Sequence, residues 1–179
     1  MKGFIFSEFI EMVEGQYGYA FVNQMINNTE SSSHGIYTSI STYPVKELND
    51  MVAFISADKD IPVNDLLLTF GKYMFPRFVL FFPQFFVEKQ SFYAFLEKLH
   101  DIIHVEVRKL FQAAETPSIK TILHQDLSME LFYSSSQKMG YFALGMLYSA
   151  AEYFHQNVEI SMELIENEDT NVKFLIQQK

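Results

Sequence analysis

Apolar residues recur at Phe4, Ile5, Phe9, Ile10, Met12 and Val13 and again at Ala20, Phe21 and Met25, with Gly15 and Gly18 interrupting the run. That spacing predicts two short helices over residues 4–26. Residues 27–35 contain no apolar side chain and much turn chemistry, so a loop follows, and Tyr43-Pro44 ahead of Lys46-Glu47 marks the next helix start. Residues 45–57 and 63–73 again carry helical spacing, divided at Asp58-Lys59-Asp60-Ile61-Pro62, where the proline supplies a stop and a restart. The first half of the chain therefore reads as helix throughout.

Residues 91–111 give the clearest amphipathic helix. Phe92, Phe95, Leu96, Leu99, Ile102, Ile103, Val107 and Leu110 recur at intervals of three and four, with Glu97, Asp101, Glu106 and Lys109 off that face. Beyond Pro117 the period changes. Residues 119–123, 128–133, 158–164 and 171–176 are short segments rich in β-formers and separated by turn signals, which predicts four antiparallel strands. Between the second and third, residues 139–155 are helical and apolar nearly all round, so that helix is expected to be buried. The expected class is α+β, with an N-terminal helical subdomain of about residues 1–62 packed on a C-terminal subdomain of helices and a four-stranded antiparallel sheet, about residues 63–179. No internal repeat appears, and low complexity is confined to Ser31-Ser32-Ser33 and Ser134-Ser135-Ser136.

A length of 179 residues suits one ordinary domain or two closely packed subdomains. A net charge of −9 repels phosphate backbones, which argues against nucleic acid and anionic lipid as partners. The absence of cysteine excludes disulfides, thiol catalysis, Cys-ligated zinc, iron–sulfur clusters and covalent haem attachment through C-x-x-C-H. The first residues meet Glu8 too early for a secretory signal, and the most apolar stretch, residues 73–87, is broken by Pro76, Arg77 and Pro83. A cytoplasmic protein without a membrane span is expected. The chain holds 19 Phe, 10 Tyr and 9 Met but no Trp, an excess of flat or adaptable side chains that either fills an irregular core or surrounds a flat ligand.

Three groups bear on chemistry. His100 and His104 lie at i and i+4 of the amphipathic helix, and His104 belongs to its apolar stripe, where a buried imidazole is either bonded to a carbonyl or ligates a metal or cofactor. His100-Asp101-Ile102-Ile103-His104 also approaches the zinc-protease helix pattern, but Asp stands where the catalytic Glu belongs, and its shorter side chain displaces the base. Finally, Tyr133-Ser134-Ser135-Ser136-Gln137 falls between a strand and the buried helix, where it either caps the helix or cradles an anion.

Taken together these residues resemble the haem-nitric oxide/oxygen binding (H-NOX) family, bacterial relatives of the soluble guanylate cyclase haem domain. The likeness includes Met1-Lys2-Gly3, Ile5-Phe6, residues 35–39, Thr42-Tyr43-Pro44 and residues 70–75, and is strongest across residues 99–110. The resemblance implies haem b, held without covalent attachment between the two halves, with His104 as axial ligand and Pro117 pressing on the ring. Tyr133, Ser135 and Gln137 align with the motif that binds the propionates, except that Gln137 replaces an Arg and offers a weaker, uncharged bond. The opposite face of the iron would be lined by Ile5, Phe9, Met74, Phe78, Phe142 and Met146, without a hydrogen-bond donor. Family members that hold oxygen stably place a Tyr at the position of Phe142. The resemblance thus implies a non-enzymatic sensor of nitric oxide, with carbon monoxide possible and stable oxygen binding disfavoured. No effector is fused within the chain, so the expected partner is a separate signalling protein such as a histidine kinase or a cyclic-dinucleotide enzyme. The rival expectation is a degenerate member, poor in haem through Gln137, that serves only as an interaction module.

Overall fold

In the computed structural model, which describes residues 1–86, 90–101, 116–165 and 170–179, Gly18 separates α1 (Gly3–Tyr17) from α2 (Tyr19–Asn28). Its φ of 83° lies in the left-handed region that favours glycine. Gly15, expected to break the run, instead stays inside α1, on a side with open space around it. Helix α3 (Val45–Lys59) stops at Asp60, whose left-handed backbone closes it. Helix α4 (Val63–Phe81) continues past Tyr73, the expected end, and runs through Pro76. Proline removes one helical hydrogen bond, at a cost of roughly 3 kcal/mol. Phe70, Met74 and Phe75, buried on the same helix, offset it.

A short 3₁₀ turn at Pro83–Phe85 precedes α5 (Phe92–Asp101). The expected continuation of that helix to residue 111, His104 included, lies outside the described residues. Strands β1 (Ser118–Leu123), β2 (Met129–Ser134), β3 (Val158–Leu164) and β4 (Asn171–Gln178) form one antiparallel sheet in the order β1-β2-β4-β3. Tyr133 stands opposite Ile119 on one side and Val172 on the other. Met129, Leu131 and Tyr133 alternate onto the buried face of β2, as Val172, Phe174 and Ile176 do in β4. This is the α+β class expected from the sequence.

Helix α6 (Gly140–Tyr153) crosses α4 with the two backbones in contact. A Cβ on Gly71 would lie 2.0 Å from the Phe142 carbonyl oxygen, and one on Gly145 would lie 2.0 Å from that of Leu68. Only glycine fits at either point.

Three contacts tie the first helices to their neighbours. Residues 1–4 pair with residues 39–43, through a bridge between Lys2 and Thr42 and a bond from the Gly3 N–H to the Ser41 carbonyl at 2.9 Å. Arg77 of α4 donates to Glu8 and Glu11 of α1. Glu47, in the first turn of α3, accepts bonds from Ser31 (2.6 Å), Ser32 (2.8 Å), Ser33 (2.5 Å) and the Tyr37 hydroxyl (2.9 Å). Among the described residues no helix is long and apolar enough to cross a membrane.

Candidate functional site

The convergence of α1, α3, α4, α5, α6 and the sheet leaves a cavity of about 680 Å³. That size falls within the range of small-molecule and cofactor sites. Its helical walls carry Phe4 and Ile5 from α1, Phe70, Phe75 and Phe78 from α4, and Phe142, Ala143 and Met146 from α6. None of those side chains offers a hydrogen-bond donor. Phe95, Leu96 and Leu99 of α5 close another side, beside Thr116 and Pro117.

Polar side chains enter the lining at Lys2, Thr42, Tyr43 and Thr116 and again at Tyr133, Ser135 and Gln137. Tyr133, from the inward face of β2, is 7% exposed, and burial pushes its hydroxyl pKa up to about 12, with the Ser135 hydroxyl opposing the rise. The hydroxyl therefore stays protonated, as a donor. Ser135 and Gln137 line the cavity with it. The turn that presents them is pinned at its start by the Ser135 N–H, which donates to the Thr170 carbonyl at 2.8 Å. The Gln137 backbone N–H then donates to Ser135 Oγ at 3.2 Å. These serines do not cap α6. Its N-cap is Met139, with no side-chain bond, and Lys138 takes a left-handed φ of 52° before the helix begins. The reason is spacing: the turn uses its hydroxyl on its own N–H groups before the chain reaches helical geometry.

Of the residues singled out from the sequence, Ile5, Phe78, Pro117, Tyr133, Ser135, Gln137, Phe142 and Met146 all line this one cavity. Phe142, rather than the neighbouring Tyr141, is the residue that α6 presents there. Phe9 and Met74 are buried but do not appear in the described lining. Phe9 lies one layer behind, its ring edge-on to Phe70 at 5.0 Å. His104 lies outside the described residues. His100 is exposed and borders a separate shallow groove between α5 and β1, with Glu97, Lys120 and Phe132. Among the described residues no three His, Asp or Glu side chains gather as a metal site.

Sequence reasoning did not single out Leu48, Phe82, Leu131 or Phe174, all of which line the cavity. Leu131 and Phe174 had a signal in the alternation of β2 and β4, which puts them on the face of Tyr133. Tyr43 and Pro44 stood in a quoted stretch without a role, and they too form wall.

A family model described as Haem-NO-binding matches residues 2–162. Among solved structures, the Fe(II) unliganded H-NOX protein from K. algicida is 35% identical, with a TM-score of 0.93 over 100% of this chain and 97% of that one. The H-NOX protein from S. oneidensis in the Fe(II)NO ligation state is 26% identical, with a TM-score of 0.92 over 100% and 99%. The H-NOX domain from Shewanella oneidensis in the Fe(II)CO ligation state gives 26% and 0.87 over 100% and 99%. No curated protein matches the chain.

Proposed function

Because the chain belongs to the H-NOX family, whose members are haem-based gas sensors, we propose that it binds nitric oxide at a ferrous haem ligated by His104 and signals to a separate protein. The observation that carries this is one cavity of about 680 Å³ in which Ile5, Phe78, Phe142 and Met146 offer no donor and Tyr133, Ser135 and Gln137 form a hydroxyl–amide set. Those residues fit a flat apolar macrocycle that ends in carboxylates. When bound, the group would supply an iron able to take a diatomic ligand.

The chain's own residues do the rest. Tyr133 and Ser135 would hold the carboxylates through their hydroxyls, and Gln137 would add an amide bond in place of a charged fork. Haem b would be held without thioether links, for which the chain has no cysteine. Pro117, part of the same lining, would bear on the ring. Ile5, Phe78, Phe142 and Met146 would border the ligand position. With no donor among them, a ligand that needs a hydrogen bond to stay, as oxygen does, is disfavoured. Nitric oxide and carbon monoxide need none. The role is sensing, without catalysis, in a single haem domain that is cytoplasmic. A histidine kinase or a cyclic-dinucleotide enzyme is the expected recipient, and a surface of net charge −9 favours a partner with a basic face.

Absorption spectra of the ferrous protein under nitrogen, air and nitric oxide test this directly. The spectrum is expected to be the same under nitrogen and under air, apart from slow oxidation, and to change with nitric oxide. His104→Gly is expected to lose the axial signature and to regain it with added imidazole. Protein that stays colourless after reconstitution with excess haem would favour the interaction-module reading instead.

A further inference from the structure

Arg77 stands on α4 one residue before the cavity-lining Phe78, and its guanidinium reaches across to α1. Nε donates to Glu8 Oε2, and the second terminal nitrogen donates to Glu8 Oε1 at 3.2 Å and to Glu11 Oε2 at 3.1 Å. Glu8 is 4% exposed, a burial that glutamate rarely tolerates without a partner. The guanidinium also lies 4.9 Å from the centre of the Phe81 ring.

Along the same seam Phe4, one helical turn before Glu8, meets Phe78 at 5.8 Å, Phe81 at 5.4 Å and Phe82 at 5.6 Å between ring centres. Ring contacts of this kind tolerate sliding, whereas a guanidinium forked over two carboxylates allows one register. Phe4, Ile5, Phe78 and Phe82 are all cavity wall.

We propose that Arg77 is a positioning residue: its fork on Glu8 and Glu11 fixes α1 against α4 and so sets the separation of the two walls that meet over the cavity. Its effect on cofactor retention rests on the functional reading above, but its effect on α1 does not. Without Arg77, the Glu8 carboxylate would be buried unpaired, and α1 would lift to hydrate it.

The test compares R77M, R77K and the double variant E8Q/R77M with the parent. Amide hydrogen exchange of residues 3–17 is followed in haem-free protein, and haem transfer to apomyoglobin is followed in loaded protein. R77M is expected to raise exchange across α1 on the order of 10–100-fold, the scale of breaking a partly buried pair. The double variant should return to within about threefold of the parent, because no unpaired charge is left to expose. R77K, which can serve one carboxylate but not fork over two, should fall between. Haem loss should follow the same ranking. Equal exchange in R77M and E8Q/R77M would make the role one of bulk and overturn the proposal, as would R77K matching the parent. Unchanged haem loss alongside faster exchange would overturn the claim on the cavity walls. A chain that takes up no haem would sink the functional reading, while the exchange measurement would still decide the ion pair.

Discussion

Glu47 is 4% exposed. Its charge is carried by hydroxyls from Ser31, Ser32, Ser33 and Tyr37. Burial alone would raise its pKa, but the four donors outweigh burial and bring it down to about 2 from an ordinary value of 4.5. A depressed carboxylate stabilises the fold above the unfolded value and loses that contribution as pH falls from about 4.5 toward 2. Glu47→Gln is expected to cost about 2 kcal/mol at pH 7, the scale of hydrogen bonds to a charged group. The gap from the parent should narrow between pH 4.5 and pH 2.5, which urea titrations across that range would reveal. Little of this was legible beforehand. Three serines in a row read as a polar loop, and nothing in their spacing points to an acid on the next helix. Phe142 shows the opposite case: alignment with a family put it on the ligand side, and the structure brings it rather than Tyr141 to the cavity.

Elements were easier to read than their ends. Helical spacing marked the helices before Pro117, near-continuous apolarity marked α6, and β-formers between turn signals marked the four strands. Ends were set by partners instead. Helix α4 outruns its expected stop because Pro76 sits in a packed helix, and α1 passes Gly15 because glycine weakens a helix without forbidding it. The crossing of α4 on α6 carries the sharpest prediction at this scale. Gly145→Ala would place a methyl 2.0 Å from the Leu68 carbonyl oxygen, a backbone atom that moves only if the helices part. Overpacking of roughly 1–3 kcal/mol should exceed the gain in helix propensity of about 1 kcal/mol. A lowered urea midpoint in haem-free Gly145→Ala would bear this out, and a raised one would not.

At the scale of the whole molecule, the cavity draws its walls from Ile5 near one end of the sequence to Phe174 near the other. The spread explains why the site was only partly legible. Pairwise spacing identifies the hydroxyl motif and the helix stripes, but which loop residues close the remaining wall depends on how distant elements pack. Tyr43 and Pro44 are examples. A ligand gripped from all these elements should stabilise them together. Loading with haem is expected to raise the thermal midpoint in one transition, by an amount equivalent to about 4 kcal/mol when free ligand exceeds its dissociation constant a thousandfold. Calorimetry of loaded and haem-free protein measures it, and two separate transitions in the loaded form would contradict a shared grip.

Strand β4 follows every other described element in sequence, yet it lies inside the sheet, between β2 and β3, and contributes Phe174 to the cavity. During synthesis on the ribosome β2 and β3 emerge first and have no direct pairing with each other. The cavity wall is consequently unfinished until residues 171–178 have been made and have paired between the two.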